Sequence, residues 1–267
     1  MGRLSDRFQA LRARGERALI PFLSAGDPDL AWTEVLVQEL VRAGADAVEL
    51  GVPFSDPMAE GPTVQRASER ALRSGTSLLR VLELVKRLRA RVSVPLVLMG
   101  YANVFLAMTE EGFAAAAADA GVDGVIIVDL PPEEGAPLFA ALRRRGVDPI
   151  LLAAPTTTPA RLERLARESR GFLYFVSLTG VTGARAEVAA DIEAQVRRAR
   201  ELGIPVCVGF GVSTPEHAER VGRYADGVVV GSALIDRLEG AADLEQARER
   251  AADFVARLKE PLRRPLR

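Results

Sequence analysis

The sequence predicts an α/β fold, a single (β/α)8 barrel of the TIM type, and three observations lead there. Eight short apolar runs recur along the 267 residues, each rich in β-formers and bounded by Gly, Pro, Asp or Ser. Stretches with helical periodicity and charged faces separate them, the alternation expected of parallel strands covered by helices. No G-x-G-x-x-G follows the first run, and eight units is the number that closes a barrel. An open doubly wound sheet is the alternative.

The chain starts with "MGRLSDRFQALRARGER", charged and amphipathic, without the apolar core of a signal peptide; it reads as a short extra N-terminal helix. The first four strands are "ALIPFLSA" at 18–25, "DAVELGV" at 46–52, "VPLVLMG" at 94–100 and "DGVIIVDL" at 123–130. The last four are "VDPILLAA" at 147–154, "FLYFVSL" at 172–178, "IPVCVGF" at 204–210 and "DGVVVGS" at 226–232. Helical stretches between them include "LAWTEVLVQELVRAG", "SLLRVLELVKRLRA", "EEGFAAAAADAG", "PARLERLARES" and "EVAADIEAQVRRARELG". Ala-Gly and Leu-Gly endings stop several of these helices. An additional short helix opens at "GS" after the eighth strand. With no composition break or long linker, residues 1–267 read as one catalytic domain.

A hydrophobic content of 48% supports a substantial core, while a net charge of −1 gives no field to steer the chain to nucleic acid or an acidic membrane. No apolar run approaches the ~20 residues that span a bilayer. Cys207, the only cysteine, precludes an intramolecular disulfide and reads as a buried, inert thiol. A soluble cytoplasmic protein is expected.

In barrels of this kind the strand C-terminal ends and the following loops build the active site. Glu49 ends the second strand in "ELGVPFSDPMAEGPT", and residues 52–61 form a loop too rich in Pro and Gly to be a helix, carrying Glu60. A carboxylate in an otherwise apolar strand points into a desolvated mouth; the alternative is a strand-end Glu paired with an arginine. Three glycine-bearing turns follow the last strands: "TGVTG" at 179–183, "GFGVS" at 209–213 and "GSALI" at 231–235. Glycines that let backbone N–H groups approach an anion, followed by a helix start, point to a phosphorylated ligand; tight turns alone are the alternative.

The residue inventory narrows the chemistry. His217 is the only histidine and sits in a helical stretch, so a Ser-His-Asp triad or a histidine metal site has nothing to build from. Lys86 and Lys259, the only lysines, do not end strands, which removes a Schiff-base nucleophile. Glu49, Asp56, Glu60, Asp129 and Tyr174 are left for proton transfer. Carbon–carbon cleavage within these limits needs an electron sink in the substrate, which an indole ring protonated at C3 provides.

"VELGVPFSDPMAEGPTVQRA" closely resembles the signature of the tryptophan synthase α-subunit family. "PLVLMGYANVF", "DGVIIVDLPPEE", "SLTGVTGARAE", "VGFGVSTPE" and "VVVGSALI" match further segments in order, so the resemblance covers essentially the whole chain. It implies a lyase that cleaves indole-3-glycerol phosphate to indole and glyceraldehyde 3-phosphate in tryptophan biosynthesis. Carried over by position, Glu49 is the acid/base, Glu60 answers the indole N–H, and Tyr174 lines the site. Gly183, Phe210, Gly211, Gly231 and Ser232 match the phosphate end, with Phe22, Met99, Ile126 and Leu152 as apolar walls around the indole; for Ile126 and Leu152 a core role is the alternative.

The resemblance also implies a β subunit that receives indole, in an α2β2 heterotetramer. Pyridoxal phosphate belongs to that partner, and no cofactor or metal is expected in this chain. Pro53, Asp56, Pro57, Asn103 and Asp129 match positions at or near the partner-facing side, ordinary turn chemistry being their alternative. Two departures stand out: Glu60 replaces the family's usual Asp, and Leu178 stands where Arg is frequent before the loop at 179–186. Another phosphate-binding barrel enzyme, such as a phosphosugar isomerase or an indole-glycerol-phosphate synthase, or a barrel that only activates a partner, are the competing readings.

Overall fold

The computed structural model describes residues 2–176, 185–209 and 211–264. Helix α1 (Arg3–Ala13) comes before the sheet. It is followed by β1 (Ala18–Ser24), α2 (Leu30–Ala43), β2 (Val48–Gly51), α3 (Pro62–Arg73), α4 (Leu78–Arg89) and β3 (Leu96–Gly100). Next come α5 (Ala102–Leu106), α6 (Glu110–Ala120), β4 (Gly124–Ile127), α7 (Pro132–Arg144), β5 (Asp148–Ile150) and β6 (Leu152–Ala153). The rest is α8 (Pro159–Glu168), β7 (Leu173–Val176), α9 (Arg185–Glu201), β8 (Val206–Gly209), α10 (Pro215–Gly222), β9 (Gly227–Val230), α11 (Ser232–Leu238) and α12 (Leu244–Leu262).

All strand pairs are parallel, in the order β5-β4-β3-β2-β1-β9-β8-β7-β6. The two ends of that order are consecutive in the chain, separated only by Leu151. The fifth predicted strand therefore enters as two pieces, β5 pairing with β4 and β6 with β7. At the junction the Leu151 N–H donates to Ser169 Oγ at 3.0 Å, while its carbonyl accepts from the Tyr174 N–H at 3.0 Å. The barrel thus closes on eight β/α units, and the sixth to eighth predicted strands are β7 to β9. An apolar run cannot announce where a strand changes neighbours.

The stagger is legible in the register. From Phe22 the partners run through Glu49, Val97 and Gly124 to Asp148; from Ala18 the other way they run through Gly227, Cys207 and Tyr174 to Leu152. Four residues on β1 and four on the fifth strand make a stagger of eight, the value that tilts an eight-stranded barrel until side chains fill it. Alternation sends Ile20, Val97, Ile126, Ile150, Tyr174, Cys207 and Val229 into one buried interior cluster. Leu4, Phe8 and Leu11 of α1 close its N-terminal end, with the Phe8 ring 5.8 Å from Phe172. The opposite strand faces form a larger cluster with the surrounding helices.

Aspartates just before β2, β4 and β9 fasten the N-terminal end. Asp46 accepts from the Leu19 N–H, Lys259 and Arg7, each at 2.7 Å. Asp123 accepts from the Leu96 N–H at 2.9 Å and from Arg89 at 3.0 Å and Arg3 at 2.9 Å. Asp226 accepts from the Val206 N–H at 3.0 Å and takes Arg200 bidentately. Each carboxylate thus joins its own strand to the preceding one and neutralises a cation. Lys259, placed by sequence only near the C-terminus, is buried in this layer, away from the strand C-terminal ends. No helix among the described residues is long and apolar enough to cross a membrane.

Candidate active site

Glu49 lies on β2 opposite Phe22 of β1 and Val97 of β3. It is 1% exposed, and neither carboxylate oxygen has a hydrogen-bond partner among the described residues. Among the described residues no arginine pairs with it, so the arginine-paired alternative finds no support there. A charge so placed has lost its hydration without compensation, and the neutral acid is favoured. Burial pushes the Glu49 carboxyl up to about 8, and the charge of Glu60 acts in the same direction.

Glu60 is half-buried on the loop after β2, and burial raises its carboxyl too. The loop is fastened around it. The Glu60 N–H donates to the Pro57 carbonyl at 3.0 Å, and Gln65 Nε2 donates to the Glu60 carbonyl at 2.9 Å. The Ala59 N–H donates to the Tyr101 hydroxyl at 2.9 Å, and the Tyr101 ring lies 5.1 Å from that of Phe54. Ser68 Oγ accepts from the Phe54 N–H and donates to the Phe54 carbonyl, both at 3.0 Å. A cavity of about 20 Å³ beside Glu60 is lined by Phe22, Gly51, Pro53, Met99 and Tyr101.

Tyr174 is buried on β7, and its hydroxyl is pushed well up by burial, then by Glu49 and Glu60, so the phenol stays neutral. Two glycines make room for aromatic rings here. A Cβ on Gly209 would come within 2.2 Å of the Tyr174 hydroxyl, and one on Gly51 within 2.5 Å of Phe22 Cζ. Neither glycine has a positive φ; what each supplies is the missing side chain.

The other expected site residues fall as follows. Met99 is half-buried in register with Gly51, Ile126 is fully buried in the interior cluster, and Leu152 packs half-buried against that cluster. Gly231 stands directly before α11, Ser232 is exposed as its first residue, and Gly211 is exposed with φ 35°. Gly183, Phe210, Leu178 and the 179–184 part of the loop at 179–186 lie outside the described residues. Asp56, Asn103 and Asp129 are exposed and Pro57 is half-buried, whereas Pro53 is buried against the cavity and so cannot itself stand on an outer face. The Asp129 carboxylate accepts from the Ala102 N–H at 2.8 Å, tying the loop after β4 to α5. Met58, unremarked in the sequence, is 86% exposed on the Glu60 loop.

Sequence reasoning missed Tyr101, Ser68, Gln65 and Gly51, and it read Gly209 in a phosphate-binding turn rather than as the space for Tyr174. Tyr101 directly follows the third strand, in "LMGYANV", and was open to the argument applied to Glu49. What the assembled groups can do is transfer protons in a dry mouth: one acid that retains its proton near neutral pH, a second carboxyl near it, and a neutral phenol.

The profile of the family "Tryptophan synthase alpha chain" matches residues 8–263. The chain is 56% identical over 264 residues to the tryptophan synthase alpha chain of Citrifermentans bemidjiense, covering 97% of each. It is 52% identical over 263 residues to that of Geobacter sulfurreducens, covering 98% of this chain and 99% of the other. Among solved structures, tryptophan synthase subunit alpha from Legionella pneumophila superposes with a TM-score of 0.90 at 37% identity, over 98% of each chain.

Proposed function

The chain belongs to the tryptophan synthase alpha chain family, and we propose that Glu49, Glu60 and Tyr174 form the catalytic centre at which it works. The reaction is the carbon–carbon lyase step of tryptophan biosynthesis, cleavage of indole-3-glycerol phosphate to indole and glyceraldehyde 3-phosphate. The observation that carries the site assignment is the buried Glu49 carboxyl, without a hydrogen-bond partner among the described residues and raised to about 8.

Protonated Glu49 gives its proton to indole C3, leaving an iminium-like ring. The resulting carboxylate takes the proton of the hydroxyl on the adjacent side-chain carbon. As that oxygen becomes the aldehyde carbonyl, the bond from its carbon to indole C3 breaks and its electron pair neutralises the ring. Glu49 ends protonated, no water is consumed, and the products sum to the substrate. Glu60 stabilises the positive charge that develops at the ring N–H, an interaction stronger in the transition state than in the ground state. Phe22, Met99, Ile126, Leu152 and the Tyr174 ring wall the indole. Gly211, Gly231 and Ser232, with Gly183 and Phe210, bind the phosphate.

The whole chain acts as one catalytic domain that uses no cofactor of its own. Its partner is a β subunit, which carries the pyridoxal phosphate, in an α2β2 heterotetramer in the cytoplasm. Asp56, Pro57, Asn103 and Asp129 face that partner, with Pro53 supporting the loop from behind. Docking there shifts the loops towards a closed, water-excluding state. The test is indole release from indole-3-glycerol phosphate by the purified chain, alone and titrated with a β subunit. Slow release that rises to saturation is expected; no release under either condition contradicts the assignment.

A further inference from the structure

We infer that Arg70, with Asp27 and Glu239, positions helix α3 so that the loop in front of it presents Glu60 to the substrate. This rests on the role proposed above for Glu60. Helix α3 starts at Pro62, two residues beyond Glu60, and holds the loop at two points through Gln65 on the Glu60 carbonyl and Ser68 on Phe54. Wherever α3 goes, the Glu60 backbone follows.

The apolar contact beneath α3 is made by small side chains, Val64, Ala67 and Ala71. Val64 and Ala67 share one buried cluster with Phe22 of β1, Ile235 of α11 and the half-buried Met99. Such a contact resists separation but defines rotation and sliding poorly. Directional bonds on the same helix supply that definition. Arg70 donates through Nε and Nη2 to the two carboxylate oxygens of Asp27 at 2.7 and 2.8 Å, a planar bidentate pair. Its remaining nitrogen, Nη1, donates to Glu239 at 3.1 Å. Asp27 sits in the turn after β1 and Glu239 directly after α11, so one guanidinium fixes α3 to two separate elements.

Thr63 and Arg66 extend the clasp along the helix. The Thr63 hydroxyl donates to Asp236 at 2.9 Å, and Arg66 donates to Glu239 at 3.0 Å. Residues 63, 66 and 70 are spaced by three and four, so they lie along one face of α3. The members differ in weight. Arg66 and Glu239 are 49% and 39% exposed, the kind of pair that contributes little, whereas Arg70 and Asp27 are 29% and 15% exposed. Burial strengthens the Arg70 fork, and its reach to both β1 and α11 makes it the central member.

The test is steady-state cleavage of indole-3-glycerol phosphate by Arg70→Ala, Arg70→Lys, Glu239→Gln and Glu60→Gln, and by Arg70→Ala and Glu239→Gln each combined with Glu60→Gln. Loss of placement by about 1 Å costs up to about 100-fold, so Arg70→Ala is expected to lower kcat by about 10- to 100-fold with KM little changed. Arg70→Lys, which keeps the charge but not the fork, should fall between. Combined with Glu60→Gln, Arg70→Ala should cost almost nothing further, because the group it positions has gone. An equal fold-loss in both backgrounds, or an unchanged kcat in Arg70→Ala, overturns the inference. Should Arg70→Ala fail to fold, Glu239→Gln reads the same coupling with a smaller loss. A parental kcat in Glu60→Gln alone instead contradicts the Glu60 assignment on which this stands, and the two failures are told apart by that single variant.

Discussion

The charge of Glu60, on the loop after β2, reaches the buried carboxyl of Glu49 near the end of that strand and adds to the desolvation that keeps it protonated. Two acids in one mouth are thereby given different work. In the mechanism proposed above, the strand acid holds a proton to donate, while the loop acid answers positive charge as it forms. Burial raises both carboxyls, and repulsion from Glu60 raises Glu49 further.

This relationship sets a pH dependence. With Glu49 at about 8, kcat/KM should fall as pH rises through that value, because the free enzyme then loses the proton it must give to C3. Glu60→Gln removes the repelling charge, so the descending limb should move to lower pH, on top of a strong fall in kcat. A pH–rate series on both proteins reads this directly. A limb at the same pH in both would show that the two carboxyls are uncoupled.

The same burial imposes a cost on folding. Below the ordinary carboxyl value of 4.5 Glu49 is protonated in both states; between 4.5 and about 8 the unfolded chain releases that proton and the folded chain keeps it. Stability is lost through this window as pH rises, by up to about 5 kcal/mol. Glu49→Gln cannot ionise, so its stability relative to the parent should increase from about pH 4 to pH 8. Urea titrations of the two proteins at both ends of that range test it. A constant difference would mean that the carboxyl titrates normally.

At the other end of the barrel the effects should be on stability alone. Asp46→Ala leaves Lys259, 3% exposed, without the carboxylate it bonds at 2.7 Å, and also strips Arg7 and the Leu19 N–H of their acceptor. Loss of one partner from a buried pair costs about 3–5 kcal/mol. Denaturant unfolding should show that loss, and kcat of the folded fraction should stay at the parental value. A stability change below about 1 kcal/mol would show that Asp46 does not hold this layer together.

Much of this architecture was legible in the sequence because its signals are local. Strand-and-helix alternation shows the barrel, and an acid inside the apolar run "DAVELGV" marks Glu49. The aspartates that open "DAVELGV", "DGVIIVDL" and "DGVVVGS" were visible as boundaries, but their bonds to the preceding strand depend on register. The same holds for the break at Leu151, where the fifth run passes from one neighbour to the other. Gly51 looked like a strand end and Gly209 like part of a phosphate-binding turn; only the fold brings the rings of Phe22 and Tyr174 over them. Tyr101 had the strand-end position that marked Glu49, but the bond of its hydroxyl to a loop 42 residues away is visible only in the fold.

Gly209 offers a geometric test of that last layer. A methyl at this position would overlap the Tyr174 hydroxyl at 2.2 Å, so the ring would have to move. Gly209→Ala should displace Tyr174, lower kcat by at least about tenfold and destabilise the fold by about 1–3 kcal/mol, as overpacking does. Kinetics with thermal denaturation measure both. A variant with parental activity would remove Tyr174 from the site.

The central claim, that Glu49 is the acid and base of the cleavage, is tested most directly by the turnover of Glu49→Gln on indole-3-glycerol phosphate, measured with an equilibrium titration of the same substrate. The amide matches the carboxyl in size but can neither give nor take the proton. The account predicts a fall in kcat of at least about 10²–10⁴-fold, with the substrate still bound. Turnover near the parental rate would contradict it.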